Sequence, residues 1–174
     1  MDALRLLHQK APPRIAAAAL RTMWNGWPTL RRFQKEGPCL FMCGNWIQED
    51  SIEHYACCHT ALDFGRRILN IRRKTGDDHK GNLVTFGLNS ATRADDEIIR
   101  RAIWNYSLYR SLCELRHKPL NSAIEVFELM KQFSKEGVRG HSTATDALDN
   151  VWMNNRSPHQ DDFNRMFDDV EEWA

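Results

Sequence analysis

Gly37-Pro38-Cys39-Leu40-Phe41-Met42-Cys43-Gly44, followed by Asp50-Ser51-Ile52-Glu53-His54-Tyr55-Ala56-Cys57-Cys58-His59, is the stretch of the 174-residue chain on which the rest depends. Gly37-Pro38 breaks the chain ahead of the first cysteine and Gly44 follows the second, so a tight turn can aim both sulfurs inward. Asp50 with Glu53 has capping-box spacing, with Ser51 the rival cap, and the helix opened there is predicted to run to about Ile71, weakened or bent at Gly65. On such a helix His54 and Cys58 stand four residues apart and share a face. Cys39-x3-Cys43-x10-His54-x3-Cys58 thus offers two ligands from a turn and two from a helix, as tetrahedral zinc is commonly held. Cys57, three residues after His54, is an alternative fourth ligand, and His59 is disfavoured by helix geometry. Ordinary buried thiols are the plainer alternative, since free cysteine is among the most buried residue types; they would not require His54 at this spacing. Four protein ligands leave no open position, so the zinc is expected to be structural, and its binding free energy, ~10 to 16 kcal/mol in small zinc modules, is folding free energy for the segment.

Working outward, Pro12 and Pro13 suit a helix start, and Ala16 to Ala19 carry that helix to about Trp24, where Asn25-Gly26 and Pro28 stop it. Thr29 can cap a short basic segment, Leu30 to Lys35. Residues 75–91 read as a loop with one short strand. Thr92 with Asp95 again resembles a cap, and Ile98, Ala102, Ile103, Tyr106, Tyr109, Leu112 and Cys113 recur at helical spacing through a long amphipathic helix, with Trp104 and Cys113 expected in the core. His117-Lys118-Pro119 ends it. A further helix starts at Asn121/Ser122 and closes at Gly137, another spans Ser142 to Met153, and a weaker one begins at Asp161. The expected fold is mainly α: residues 1–75 a helical lead-in with the zinc-stapled segment, 76–91 a linker or short strand, 92–153 a helical bundle, and 154–174 an acidic tail.

Apolar residues make up 42% of the chain and charged residues 27%, with six Trp and eight Phe, which excludes disorder as the main state. No apolar run approaches the roughly 18 to 20 residues of a membrane span; Ile15 to Leu20 is bracketed by Arg14 and Arg21. Five cysteines, four of them between residues 39 and 58, with no secretory apolar stretch, favour a metal site in a reducing compartment, nuclear or cytoplasmic, over a disulfide framework. The net charge of +1 conceals an asymmetry. Residues 1–36 carry seven Lys/Arg and two acids, residues 66–74 five Lys/Arg and no acid, and residues 146–174 eight acids against Arg156 and Arg165. Arg31, Arg32, Lys35, Arg66, Arg67, Arg72, Arg73 and Lys74 flank the cysteine segment and can converge on a polyanion. Trp24, Trp27 and Trp46 can stack on bases, although packing around the zinc core is the favoured expectation.

The cysteine segment, Gly37 to Gly44 and then Asp50 to Tyr55 leading to Cys58, resembles the CCHC zinc-binding region downstream of the polymerase in non-LTR (LINE-type) retrotransposon reverse transcriptases. Pro12-Pro13-Arg14-Ile15, Leu20-Arg21-Thr22, Trp24-Asn25-Gly26-Trp27 and Arg31-Arg32-Phe33-Gln34 are similar to the lead-in of such proteins, and Arg116-His117 and Val138-Arg139-Gly140-His141 to their tails. The resemblance implies zinc ligands at Cys39, Cys43, His54 and Cys58, RNA or DNA as partner and association with a polymerase, with neither a membrane nor a small-molecule substrate. Arg93-Ala94-Asp95-Asp96 superficially matches a reverse-transcriptase box but opens a helix, where acids complement the helix dipole. No endonuclease arrangement of Pro-Asp and Asp/Glu-x-Lys appears in residues 75–174. The expectation is a non-catalytic zinc-binding nucleic-acid module; the alternative is a zinc-stabilised structural or protein-interaction domain. A hydrolase pairing Cys57 or Cys58 with His54 or His59 is the least favoured option.

Overall fold

The computed structural model describes residues 2–44, 49–71, 88 and 94–152, and among these the chain is helical. Among the described residues there are seven α-helices: α1 (Asp2–Lys10), α2 (Pro13–Met23), α3 (Ile52–Cys57), α4 (His59–Leu69), α5 (Asp95–Leu115), α6 (Ala123–Val138) and α7 (Ser142–Trp152). A single 3-10 turn, Arg31–Phe33, follows α2, and Pro38 and Glu49 form an isolated antiparallel bridge. The short strand expected within 75–91 and the whole acidic tail, 154–174, with the helix from Asp161, lie outside the described residues. No helix among the described residues is long and apolar enough to cross a membrane.

Helix α2 starts as anticipated: Pro13, at its first position, has no N–H to lose, and Pro12 is extended (φ −58°, ψ 145°). Its buried stripe is Ile15, Ala18, Ala19 and Thr22, and Asn25 adopts a left-handed conformation just beyond its end. Helix α1 was not anticipated, although Leu7 and Ala11, four apart and both buried, carried its signal.

The long helix α5 differs from its expected amphipathic form. Arg101 to Leu108 are all buried, so the helix is enclosed on every side, and α1, α2, α4, α6 and α7 pack around it. Two of its buried polar residues return hydrogen bonds to their own helix, Asn105 Nδ2 donating to Arg101 O (2.9 Å) and Ser107 Oγ to Ile103 O (2.8 Å). Their donors therefore demand no partner from neighbouring helices, and polar letters can sit in a central helix. Trp104 is buried, whereas Cys113 and Tyr109 are only half-buried. Ala94, not Thr92, occupies the cap of α5, with no side-chain cap bond, and Thr92 lies outside the described residues.

Ser122 caps α6 by accepting from Glu125 N (3.2 Å). Gly137 does not close that helix: it lies within it because a Cβ there would come 2.7 Å from the Tyr106 ring. The left-handed residue that follows is Gly140 (φ 80°). One apolar cluster runs from Leu7 to Leu148, so the cysteine segment and the helices after residue 94 share a core.

Candidate metal centre

The cysteine pair sits on a knuckle between the 3-10 turn and α3. Met42 takes a left-handed conformation (φ 53°), which curls Cys39 to Cys43 tightly enough for the backbone N–H of Phe41 to reach the Cys39 sulfur at 3.3 Å. An N–H aimed at sulfur favours the thiolate over the thiol. Phe41 itself is buried against Tyr55, ring centroids 4.5 Å apart, and so fastens the knuckle to α3.

The expected continuous helix from Asp50 to Ile71 is two helices that break at Cys58, whose backbone is extended (φ −59°, ψ 126°). The break has a packing cause. At about 100° per residue, Ala61, Phe64 and Ile68 lie about 120° to 180° around a straight helix from Ile52. One straight helix would present its two apolar faces in opposite directions, yet all four residues are buried. Breaking the chain at Cys58 resolves the conflict and turns its sulfur inward. Ser51 is the cap of α3, accepting from His54 N at 3.1 Å. Asp50 is not a cap at all.

Cys39, Cys43, His54 and Cys58 are all buried, and their ligand atoms lie within 4.8 Å of one another. Cys39 Sγ and Cys58 Sγ are 3.8 Å apart, and Cys43 Sγ lies 3.5 Å from His54 Nε2. A tetrahedral ion with metal–sulfur bonds of about 2.3 Å and metal–nitrogen bonds of about 2.05 Å has S···S edges of about 3.8 Å and S···N edges of about 3.6 Å. Both distances therefore fit tetrahedral coordination, and the sulfur pair is far beyond the ~2.05 Å of a disulfide. The four residues can hold a metal ion. Cys57 is not one of the four: it is half-buried and its thiol donates to Glu53 O (3.4 Å).

The protonation preferences of the group set protons in competition with a metal ion. Burial pushes the Cys58 thiol well up, and a hydrogen bond with Cys43 raises Cys39. Burial alone lowers His54, but hydrogen bonds to Cys39, Cys43 and Cys57 outweigh it and carry the imidazole to about 11. These groups hold protons that a coordinating cation displaces.

The basic residues are distributed unevenly. Arg32 and Lys35 are exposed on the segment before the knuckle, and Thr29 Oγ1 accepts from Arg32 N (3.3 Å), as its position as a cap anticipated. Arg31 is exposed too, but its guanidinium lies 3.5 Å from Glu49 and 3.7 Å from Glu53. Arg66 and Arg67 share the buried Asp63 Oδ1 at 3.0 and 2.8 Å, with Arg66 the more exposed. Arg72, Arg73 and Lys74 lie outside the described residues, as does Trp46. Trp27 is buried, its ring 6.0 Å from Tyr55 and its Nε1 donating to Thr22 Oγ1 (2.8 Å). Trp24 does not pack around the centre and is 75% exposed.

The roles of three residues beside the centre escaped the sequence reading: Asp50, expected there to cap a helix, Tyr55 and Arg116. The Tyr55 hydroxyl donates to Asp50 Oδ1 (2.7 Å) and accepts from Leu40 N (3.3 Å), inside the knuckle. Asp50 Oδ2 accepts from Leu30 N (2.9 Å) and pairs with Arg116 at the end of α5. An acid just ahead of a helix signals a cap, and nothing in sequence spacing points to an arginine 66 residues away. Compared with protein-family models, curated proteins and solved structures, the chain matches none.

Proposed function

We propose that this chain is a non-catalytic module that binds RNA or single-stranded DNA beside a structural zinc ion. Three thiolates and one imidazole in a tetrahedron are a donor set that suits zinc, and four protein ligands leave no position for substrate. The observation that carries nucleic-acid binding is the stretch between α2 and the knuckle. Trp24 and Phe33, 75% and 58% exposed, are the large apolar side chains left exposed among the described residues, and they stand among the exposed Arg21, Arg31, Arg32 and Lys35. Flat rings interspersed with cations are what a single strand requires: bases stack for about 1 to 3 kcal/mol each while phosphates release counterions to the cations. Arg66 and Arg67 add two cations on α4, and the resemblance to retrotransposon reverse transcriptases agrees with this role beside a polymerase.

Electrophoretic retardation of single-stranded RNA, single-stranded DNA and duplex tests the reading. Binding should be firm at ~50 mM salt and fall steeply by ~200 mM, and Arg31→Ala/Arg32→Ala or Arg66→Ala/Arg67→Ala should weaken it. No retardation of any of the three at ~50 mM sinks it.

The ion pairs of Arg31 with Glu49 and Glu53, and of Arg66 and Arg67 with Asp63, favour the second reading, a zinc-stabilised interaction domain, because they occupy part of the basic surface. Deleting residues 155–174 separates the two: higher nucleic-acid affinity marks the acidic tail as a competitor for that surface, whereas a lost protein partner with no nucleic-acid binding in either form marks an interaction domain.

A further inference from the structure

Asp50 is 1% exposed, and its four hydrogen-bonding groups reach four different parts of the molecule. Its backbone N–H donates to Gly37 O (2.9 Å), its C=O accepts from Arg31 N (3.3 Å), and its carboxylate accepts from Leu30 N, Tyr55 Oη and Arg116. Leu30 and Arg31 begin the basic 3-10 segment, Gly37 opens the knuckle, Tyr55 follows the ligand His54 on α3, and Arg116 ends the central helix α5.

From this network we propose that Asp50 is a positioning residue that transmits metal occupancy to the basic segment, so that loading the Cys39–Cys43–His54–Cys58 centre sets the conformation of residues 30–35. The route is short. Coordination holds Cys39 and Cys43 against His54, which keeps the intervening Leu40 N–H on the Tyr55 hydroxyl; that hydroxyl donates to Asp50 Oδ1; and the other carboxylate oxygen and the carbonyl of Asp50 hold two successive N–H groups of the segment that carries Arg31, Arg32 and Phe33. Gln34, in the left-handed conformation (φ 55°), and Lys35 N, which donates back to Leu30 O (2.9 Å), close the segment on itself, and Asp50 ties its backbone to the rest of the chain through Leu30 and Arg31, beside the exposed ion pairs of the Arg31 side chain with Glu49 and Glu53. A buried carboxylate paired with a single arginine contributes little net stability but fixes registry, because removing either partner strands the other. Asp50 fits that description: Arg116 anchors it to the end of α5, and its acceptors hold Leu30 N, Arg31 N and the Tyr55 hydroxyl. This coupling regulates the surface assigned above to nucleic acid and rests on that assignment for its biological meaning. The physical coupling does not.

Trypsin tests it without any nucleic acid, because Arg31, Arg32 and Lys35 are cleavage sites inside the segment, and Lys131 and Lys135 on α6 report global opening. The full chain is digested after loading with zinc and after removal of zinc by a chelator, alongside Asp50→Asn and Tyr55→Phe. Tyr55→Phe removes one oxygen from the link and leaves the ring packed on Phe41. Metal content and the cleavage rate at each site are followed by mass spectrometry. Zinc removal, Asp50→Asn and Tyr55→Phe should each raise cleavage at residues 31–35 by about tenfold or more relative to Lys131 and Lys135, a change of about 1.4 kcal/mol in local opening. Both variants should still retain zinc. Equal cleavage in loaded and stripped protein overturns the proposal, and so does a parallel rise at all sites, which would make Asp50 a purely global stabiliser. Absence of nucleic-acid binding with the coupling intact would remove the proposed function and leave this inference standing.

Discussion

Cys57 and Cys58 are adjacent and chemically identical, yet only one belongs to the centre, and the backbone decides which. Cys57 ends α3 with its thiol turned back to Glu53 O, whereas Cys58, at the break, is fully buried and 3.8 Å from Cys39. Cys58→Ser should therefore lose the bound metal, while Cys57→Ser should keep it, since serine can still donate to Glu53 O. Metal content after gel filtration distinguishes them; equal loss from both would return Cys57 to the ligand set. The same residues set a pH dependence. Cys39, His54 and Cys58 all have raised pKa values, so near neutrality they bind protons that coordination must release, and metal affinity should rise with pH and fall as the solution is acidified. Each proton released adds about tenfold in affinity per pH unit. Competition with a chelator between pH 6 and pH 8, after correction for the chelator's own protons, measures the slope; a flat profile would exclude thiolate ligands.

At the scale of elements, close helix packing rests on two glycines. Gly137 of α6 meets the Tyr106 ring of α5, and Gly65 of α4 meets Trp104, whose Nε1 is fixed on Ala61 O at 3.0 Å. Alanine normally gains about 1 kcal/mol over glycine inside a helix, but a Cβ at Gly137 would stand 2.7 Å from a ring carbon and force α6 away from α5. Gly137→Ala should thus destabilise by about 1 to 3 kcal/mol, the usual cost of overpacking, measurable by urea denaturation; a gain in stability would show that the interface is loose. These helices also show what the sequence reveals and what it conceals. The spacing of Ile98, Ala102, Tyr106 and Leu112 was enough to place α5, and Pro12-Pro13 enough to start α2, because both signals are local. The enclosure of α5 on every side was hidden, since Asn105 and Ser107 look like a solvent face until their bonds to the preceding turn are seen. The break at Cys58 was legible in principle, as the opposed faces of Ile52 and Ala61/Phe64/Ile68, but a capping signal at its start and no glycine or proline at the break made one helix the simpler prediction. The four candidate ligands were legible because metal geometry constrains spacing. Asp50 was not, because its partners come from three separate stretches of chain.

For the molecule as a whole, the question is whether the cysteine segment is an appendage or part of the core, and the packing decides it. Trp27 is wedged between Tyr55 of α3 and Tyr109 of α5, with ring centroids at 6.0 and 6.3 Å, and Phe41, Ile52, Tyr55 and Cys58 belong to the same apolar cluster as the residues of α5, α6 and α7. An ion bound at the knuckle then binds the folded state of the entire molecule and stabilises it by mass action. Free zinc at about 100 times its dissociation constant contributes about 2.7 kcal/mol. In a chain of this size each kcal/mol moves the melting temperature by about 2 to 4 °C. A zinc titration followed by calorimetry should accordingly show one transition that climbs by about 5 to 11 °C over that range and keeps climbing as zinc is raised, with tryptophan fluorescence and helical dichroism melting together. Two transitions, of which only the lower responds to zinc, would mean that residues 37–60 fold apart from the helices, and the shared core around Trp27 would then contribute no cooperativity between them.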